Sequence, residues 1–400
     1  MVAVVSILTL LIAALASLFM AWSIGAGSSG STPFAPAVGA NAISVMRAGF
    51  MVGLLGLAGA VLQGANVTEA VGAELVVGSV LTAGASIVAL VTAALLVAVG
   101  VFAGYPIATA FTVTGAVIGV GLANGGAPAL IKYQQIFALW TLTPFVGGGT
   151  AYVTARALRS DAVPERYSIP ALGGLMGALI VNIQFTVLGS NGTGKSLASA
   201  LTTTFQQWIP FSSLGYEFLI TLTGILIGTL LNYRAIMNSP ETGQRRFLLV
   251  LGGLVAFSAG ESQVGLAIGP LVPLLERFVI PLPMILLGGG IGLLLGSWTG
   301  APRMIKALSQ DYSSLGPRRS IAAMIPSFAI AQIAVALGIP VSFNEIIVSA
   351  IIGSGYAAGS SGVSRKKMAY TVAAWVVSLA LAFGLSYGGF WTLDRLFLSS

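Results

Sequence analysis

Neither cysteine nor histidine occurs in the 400 residues of this chain. Their absence removes disulfides, thiolate nucleophiles, zinc sites built on those ligands and any imidazole proton relay. Charge is scarce as well: 18 basic and 11 acidic side chains make up 7% of the sequence, against about 25% in a soluble domain. With 56% hydrophobic residues and a mean hydropathy of +0.96, a water-soluble core is excluded. In a soluble protein a net charge of +7 would point to nucleic acid; the distribution of these charges gives it another cause.

A transmembrane helix needs about 20 apolar residues. Full spans are predicted at 2–22, 48–64, 79–101, 133–155, 168–189, 214–236, 278–298, 319–337 and 368–388. Short or Gly/Pro-interrupted segments are predicted at 33–46, 105–123, 246–273 and 341–357. Irregular backbone at membrane depth persists only where protein buries it or water reaches it, so these four segments are the expected walls of a pathway. The first span has no basic n-region, and its apolar run is longer than that of a signal peptide. It reads as a retained membrane helix, although Ala14-Leu15-Ala16 resembles a cleavage site.

The basic residues orient the chain. With the loop Arg156–Arg166 in the cytoplasm, fourteen Lys and Arg fall inside and four (Lys132, Lys195, Arg277 and Arg395) fall outside. This is a strong positive-inside bias, and it accounts for the basic balance without nucleic acid. The reading is a multi-pass protein of the cell membrane with both termini outside.

Two stretches, Gly104–Gly126 and Gly338–Ser360, align without a gap and share eight identities at an offset of 234 residues. Trp140 and Trp375 keep nearly the same spacing, and Arg47 and its counterpart Arg277 fall on opposite sides. Two related halves, inverted relative to each other and each carrying a Gly-rich break, form the pattern of a secondary transporter. The fold class is therefore an all-α polytopic membrane protein of about 10–12 transmembrane helices, broken segments included. Residues 1–160 would form the first repeat, 161–245 connecting helices and loops, and 246–400 the second repeat.

The run Gly189–Ser196 matches the phosphate-cradling P-loop letter for letter. That motif works only on a strand–loop–helix unit of an α/β domain with a magnesium-binding Asp. Residues 168–189 read as a span, and no acidic residue lies between Arg166 and Glu217. A flexible polar loop that binds no nucleotide is expected.

In the first break, Trp22–Pro33, small residues would bring backbone amides and the hydroxyls of Ser28 and Ser29 to a half-helix starting at Pro33. Such a helix N-terminus is a natural anion site; a Gly/Ser-rich surface loop is the plainer alternative. The matching segment Phe257–Val264 holds Glu261, Ser262 and Gln263 in an otherwise apolar run, and Glu345 follows Asn344 in the last break. An ionisable group at membrane depth is expensive and marks a functional candidate. Two such carboxylates would bind a cation or share a proton; otherwise they cap helix ends or pair with Arg near the surface. Thr109, Thr112 and Thr114 stand at the equivalent place in the first half, and Thr109 and Thr112, three apart, share a helical face. Asp161, Glu165, Glu241 and Asp311 read as solvated in basic loops, and Glu69, Glu74 and Glu217 as helix-end residues. Trp140, Trp208, Trp298 and Trp375 read as interfacial or packing side chains.

These residues resemble the inorganic phosphate transporter family over nearly the whole chain. Its G-A-N-D-V-A-N-A element begins here with Gly25-Ala26 and closes its second copy at Ala267-Ile268-Gly269-Pro270. Its G-x-P-V-S-T-T-H element survives as Gly104-Tyr-Pro106-Ile-Ala-Thr109 and as Gly338-Ile-Pro340-Val-Ser342. The family Asp falls on or near Ser28 in one half and on Gln263 in the other, beside the unusual Glu261. The resemblance implies a homodimeric permease for phosphate, driven by sodium or protons. Ser28, Ser29, Thr109, Ser342 and Asn344 would bind the oxyanion. Glu261, Ser262, Gln263 and Glu345 would bind the coupling cation, a sodium ion being the metal considered; Asn344 fits either set. No enzymatic activity and no other cofactor is implied. A permease for sulfate or another oxyanion, and a passive anion channel, remain open beside this reading.

Overall fold

The computed structural model describes residues 7–78, 81–160, 164–190, 193–208, 211–275, 280–359 and 363–398. The first six residues, Asp161, Arg277 and the P-loop-like residues Asn191 and Gly192 lie outside the described residues. The first half contains α1 (Ile7–Ile24), α2 (Ala35–Gly39), α3 (Val45–Gln63), α4 (Ala65–Ala73), α5 (Ala83–Ala103), α6 (Thr109–Ala123) and α7 (Leu130–Arg159). A middle section follows with α8 (Glu165–Asn182), α9 (Leu197–Phe205) and α10 (Ser213–Asn238). The second half contains α11 (Pro240–Ile268), α12 (Val272–Leu275), α13 (Leu282–Thr299), α14 (Ala301–Gln310), α15 (Pro317–Ala336), α16 (Phe343–Tyr356) and α17 (Arg365–Leu393).

Among the described residues, nine helices are long and apolar enough to cross a bilayer, and eight of them coincide with predicted full spans. The ninth is Pro240–Leu274, where an interrupted segment was expected. Its polar run Ser258–Gln263 stays helical because other elements bury it. The break comes later, at the 3-10 turn Gly269–Leu271, where Pro270 has no amide to continue the ladder. The expected span 168–189 instead ends at Asn182 and turns into a strand. The half-helix expected from Pro33 shrinks to the five residues of α2, starting at Ala35.

The sequence repeat is repeated in the backbone. Gly104 stops α5 with φ +72°, and its mate Gly338 follows α15 with φ +60°. Only glycine takes up this left-handed geometry without strain. Each is followed two residues later by proline (Pro106 or Pro340), which disfavours helix at the residue before it. The chain then runs extended and re-enters a short helix, α6 or α16. Each half seats its short helix on the long helix of the other half: α6 packs against α17, and α16 against α7. Tryptophans lock the exchange. Trp140 donates to the Pro340 carbonyl at 2.9 Å, and Trp375 donates to the Pro106 carbonyl at 2.8 Å. Both rings are buried, so their role is to anchor the breaks.

α11 and α15 are the most enclosed spans, each 72% buried, whereas α10 is 6% buried. α10 presents Leu214, Phe218, Leu226 and Leu231 outward, as a lipid-facing helix does when apolar tails replace water. α11 reaches the centre by crossing α3 where Gly260 meets the backbone of Gly56. A side chain at Gly260 would hold the helices apart.

Candidate functional site

The site is built where the two breaks meet at the middle of α11. α1 runs into a π-helical turn, Gly25–Ser29, which is fully buried. Ser31 and Thr32 are used within this turn, both donating to the Ser28 carbonyl at 3.2 and 3.0 Å. Ser28 Oγ lies 3.4 Å from Thr109 Oγ1, while Ser29 Oγ has no partner. Side-chain hydroxyls, not the N-terminus of a half-helix, are therefore what this segment brings to the centre.

Thr109, at the start of α6, donates to Gln263 Oε1 at 2.7 Å. Gln263 in turn donates through Nε2 to the Val341 carbonyl at 2.8 Å. Asn344 does the converse, donating to the carbonyls of Gly27 at 2.9 Å and Ile107 at 2.6 Å. Ile107 and Val341 are mates in the repeat, and each break's extended carbonyl is held by a carboxamide. Gln263, expected on a cation, is a bridge with both ends engaged.

Thr112 also differs from expectation. It is buried, and its hydroxyl returns to the Ala108 carbonyl at 3.0 Å, so it offers the site no free donor.

Several buried polar atoms around this bridge have no partner. They are the hydroxyls of Ser23, Ser29, Thr114, Ser262 and Ser342, with Asn344 Oδ1 and Glu345 Oε2. Leaving such a group unpaired costs about 1–3 kcal/mol each, so a native chain keeps several together where a ligand or ordered water satisfies them. Hydroxyls can donate to an oxyanion; Asn344 Oδ1 and a carboxylate oxygen can only accept, which suits a cation. No lysine or arginine is buried among the described residues.

Glu261 lies apart from its neighbour Gln263. Residues two positions apart on an α-helix point about 200° apart, and the Glu261 side chain instead accepts from Gln332 of α15 at 3.1 Å through Oε2. Gln332 also donates to Ser258 Oγ. Glu261, Ser262 and Gln263 therefore do not converge on one ion. Glu345 is 1% exposed on the first turn of α16, and Ser349 donates to its backbone carbonyl at 2.6 Å.

The P-loop-like run forms a β-hairpin rather than a flexible loop: β3 (Gln184–Ser190) pairs with β4 (Thr193–Ser196), with Phe185 opposite Lys195. Three peripheral acids pair with basic side chains, and Glu74 and Asp311 stay about half exposed. Glu74 pairs with Lys132 at 2.6 Å, Asp311 with Lys367 at 3.2 Å, and Glu165 with Arg318.

Sequence reasoning overlooked Gln63 and Gln332, uncharged carboxamides within or beside apolar runs. It also left Trp140 and Trp375 as packing residues, although their spacing matches that of the repeat.

The profile of the phosphate transporter family matches residues 24–386. A protein of Pyrococcus furiosus described as a candidate phosphate permease is 26% identical over 394 residues, covering 93% of each chain. An Arabidopsis thaliana protein named as an inorganic phosphate transporter of the chloroplast is 24% identical over 425 residues, covering 94% of this chain and 71% of its own. A solved structure of a sodium-dependent phosphate transporter superposes with a TM-score of 0.79 at 21% identity, over 98% of this chain and 100% of that one.

Proposed function

Because the chain belongs to the phosphate transporter family, we propose that it moves inorganic phosphate across the membrane by secondary active transport coupled to a cation. The observation that carries the coupling is the composition of the buried centre: five unpaired hydroxyls, the buried carboxylate of Glu345 and no buried basic residue among the described ones. Taking an oxyanion out of water into such a site is very costly unless opposite charge accompanies it. With no lysine or arginine to supply that charge, a co-transported cation must. A passive anion channel would need fixed positive charge here, which makes it the weaker reading.

In this reading Ser28, Ser29 and Ser342 hold the oxyanion, with Ser262 and Thr114 as further hydroxyl donors, and Thr109 joins them when its proton leaves Gln263. Asn344 Oδ1 and Glu345 face the accompanying cation. Gln263 and Asn344 tie the breaks to one another, so rocking of the inverted repeats would break one set of these bonds and open one side. Both termini outside, assembly as a homodimer and the three-part division at 160 and 245 belong to the same reading.

Labelled phosphate uptake into proteoliposomes with imposed sodium or proton gradients tests it. Accumulation that follows one gradient and resists excess sulfate is the expected result. Uptake that follows membrane potential alone would sink the coupling, and transport of sulfate without phosphate would change the substrate.

A further inference from the structure

A cavity of about 230 Å³ lies beside α11, away from the Thr109–Gln263 bridge, and its polar lining is mostly carboxamide: Gln63, Asn66, Asn182, Gln184 and Gln332, with Glu261. Gly194 of the β3–β4 hairpin also borders it. Gln63 spends its donor on the Gln184 carbonyl at 2.5 Å, and its Oε1, buried, has no partner. Gln332 spends its donor on Ser258 and on Glu261 Oε2, and Glu261 Oε1, also buried, has none. Gln63 and Glu261 are 2% and 1% exposed, so both acceptors are buried at the edge of the cavity they line.

The pattern is selective. In both pairs an amide N–H is engaged and a buried oxygen acceptor is left over. The charge of Glu261 disfavours an anion beside it, whereas a small cation would find oxygen ligands and one full negative charge. A carboxylate and carboxamide or backbone carbonyls form the hard oxygen set that alkali and alkaline-earth cations prefer over nitrogen or sulfur.

We propose that this cavity is a second cation site, selective for a monovalent cation such as sodium, with Glu261 and Gln63 as ligands and Gln332 as the residue that positions Glu261. It rests on the coupled-transport reading but is separate from the phosphate centre, because Glu261 and Gln263 leave α11 on different faces. The family element does not supply it. Its second copy carries a neutral bridge at Gln263, and the carboxylate stands two residues earlier, facing α15.

The test is binding of radioactive sodium to the purified full chain in lipid nanodiscs, without phosphate, with choline balancing ionic strength. Saturable binding is expected in the native protein. Glu261→Gln should reduce bound sodium by one ion per chain or weaken it at least tenfold, with an unchanged melting temperature in choline. Glu261→Asp should restore part of the binding, and Gln332→Leu should weaken it less than Glu261→Gln does. Native-like sodium binding in Glu261→Gln, or no sodium binding by folded native protein, would overturn the proposal. Since phosphate is absent throughout, failure of phosphate uptake leaves this measurement intact.

Discussion

Thr109 and Gln263 come from opposite halves of the chain and are joined by a buried 2.7 Å hydrogen bond. Gln263 passes the connection on to the Val341 carbonyl, so both extended breaks are linked to α11 through one carboxamide. The arrangement fixes where the two repeats touch. It also places Thr109 against Ser28, at the edge of the unpaired hydroxyls.

Thr109→Val removes a donor and leaves Gln263 Oε1 unpaired. A buried hydrogen bond contributes about 1 kcal/mol net, and an abandoned partner costs somewhat more. The half-saturating phosphate concentration for uptake should rise about five- to tenfold. Gln263→Leu should do at least as much, because it frees both Thr109 and Val341. In a double-mutant cycle the two changes should be strongly non-additive, as expected of residues in contact. Additive effects would show that the bridge does not shape the phosphate site.

Glu345→Gln keeps the size of the side chain and removes its charge. Ser342→Ala removes one unpaired hydroxyl of the same break. The first should shift the cation dependence of uptake with little change in phosphate affinity, and the second should do the reverse. Full uptake curves at varied cation and varied phosphate separate the two, and equal loss of both parameters in both variants would defeat the division of roles.

The large-scale plan was legible in the sequence because hydropathy and the positions of Gly and Pro are local signals. Gly104 and Gly338 with their following prolines mark the same two helix stops in sequence and in structure. The fate of 246–273 was not legible. A polar run such as Ser258–Gln263 reads as a break, yet it stays helical when partners such as Thr109, Gln332 and the Val341 carbonyl satisfy it, and those partners lie 71 to 154 residues away. The site was half legible for the same reason. Burial of Glu261 and Glu345 follows from their apolar surroundings, but which face of α11 each polar residue takes depends on packing. Gln63 and Gln332 carry no charge and so raised no signal.

Gly338 makes a direct stability prediction. Its φ of +60° would cost an alanine roughly 1–2 kcal/mol, since a Cβ crowds the following carbonyl in that region. No heavy atom approaches such a Cβ closely, so the cost comes from backbone strain rather than from a clash. Gly338→Ala should lower the melting temperature of the detergent-solubilised protein, and Gly104→Ala, at +72° with open space around it, should lower it similarly. Glycine at 288, in a helix and also in open space, provides the control: Gly288→Ala should be neutral or stabilising, because alanine is the better helix former. Equal losses in all three variants would mean that φ is not the cause.

Lys195→Ala tests whether the letter-perfect P-loop match means anything. A phosphate cradle needs consecutive amides turned towards one point, with the Lys and Ser in the first turn of the following helix. Here Lys195 and Ser196 belong to β4, paired with Phe185 and Gln184. Ser196 is the N-cap of α9, accepting from the Ser199 amide at 3.0 Å, so its hydroxyl is already committed. The described part of the run is extended and paired as strand, not turned into the first turn of a helix as the cradle requires. Phosphate uptake by Lys195→Ala should therefore stay within about twofold of the native rate, less than the loss of a single net hydrogen bond. The purified native protein should hydrolyse no ATP; hydrolysis abolished by this substitution would give the hairpin a nucleotide-binding role after all.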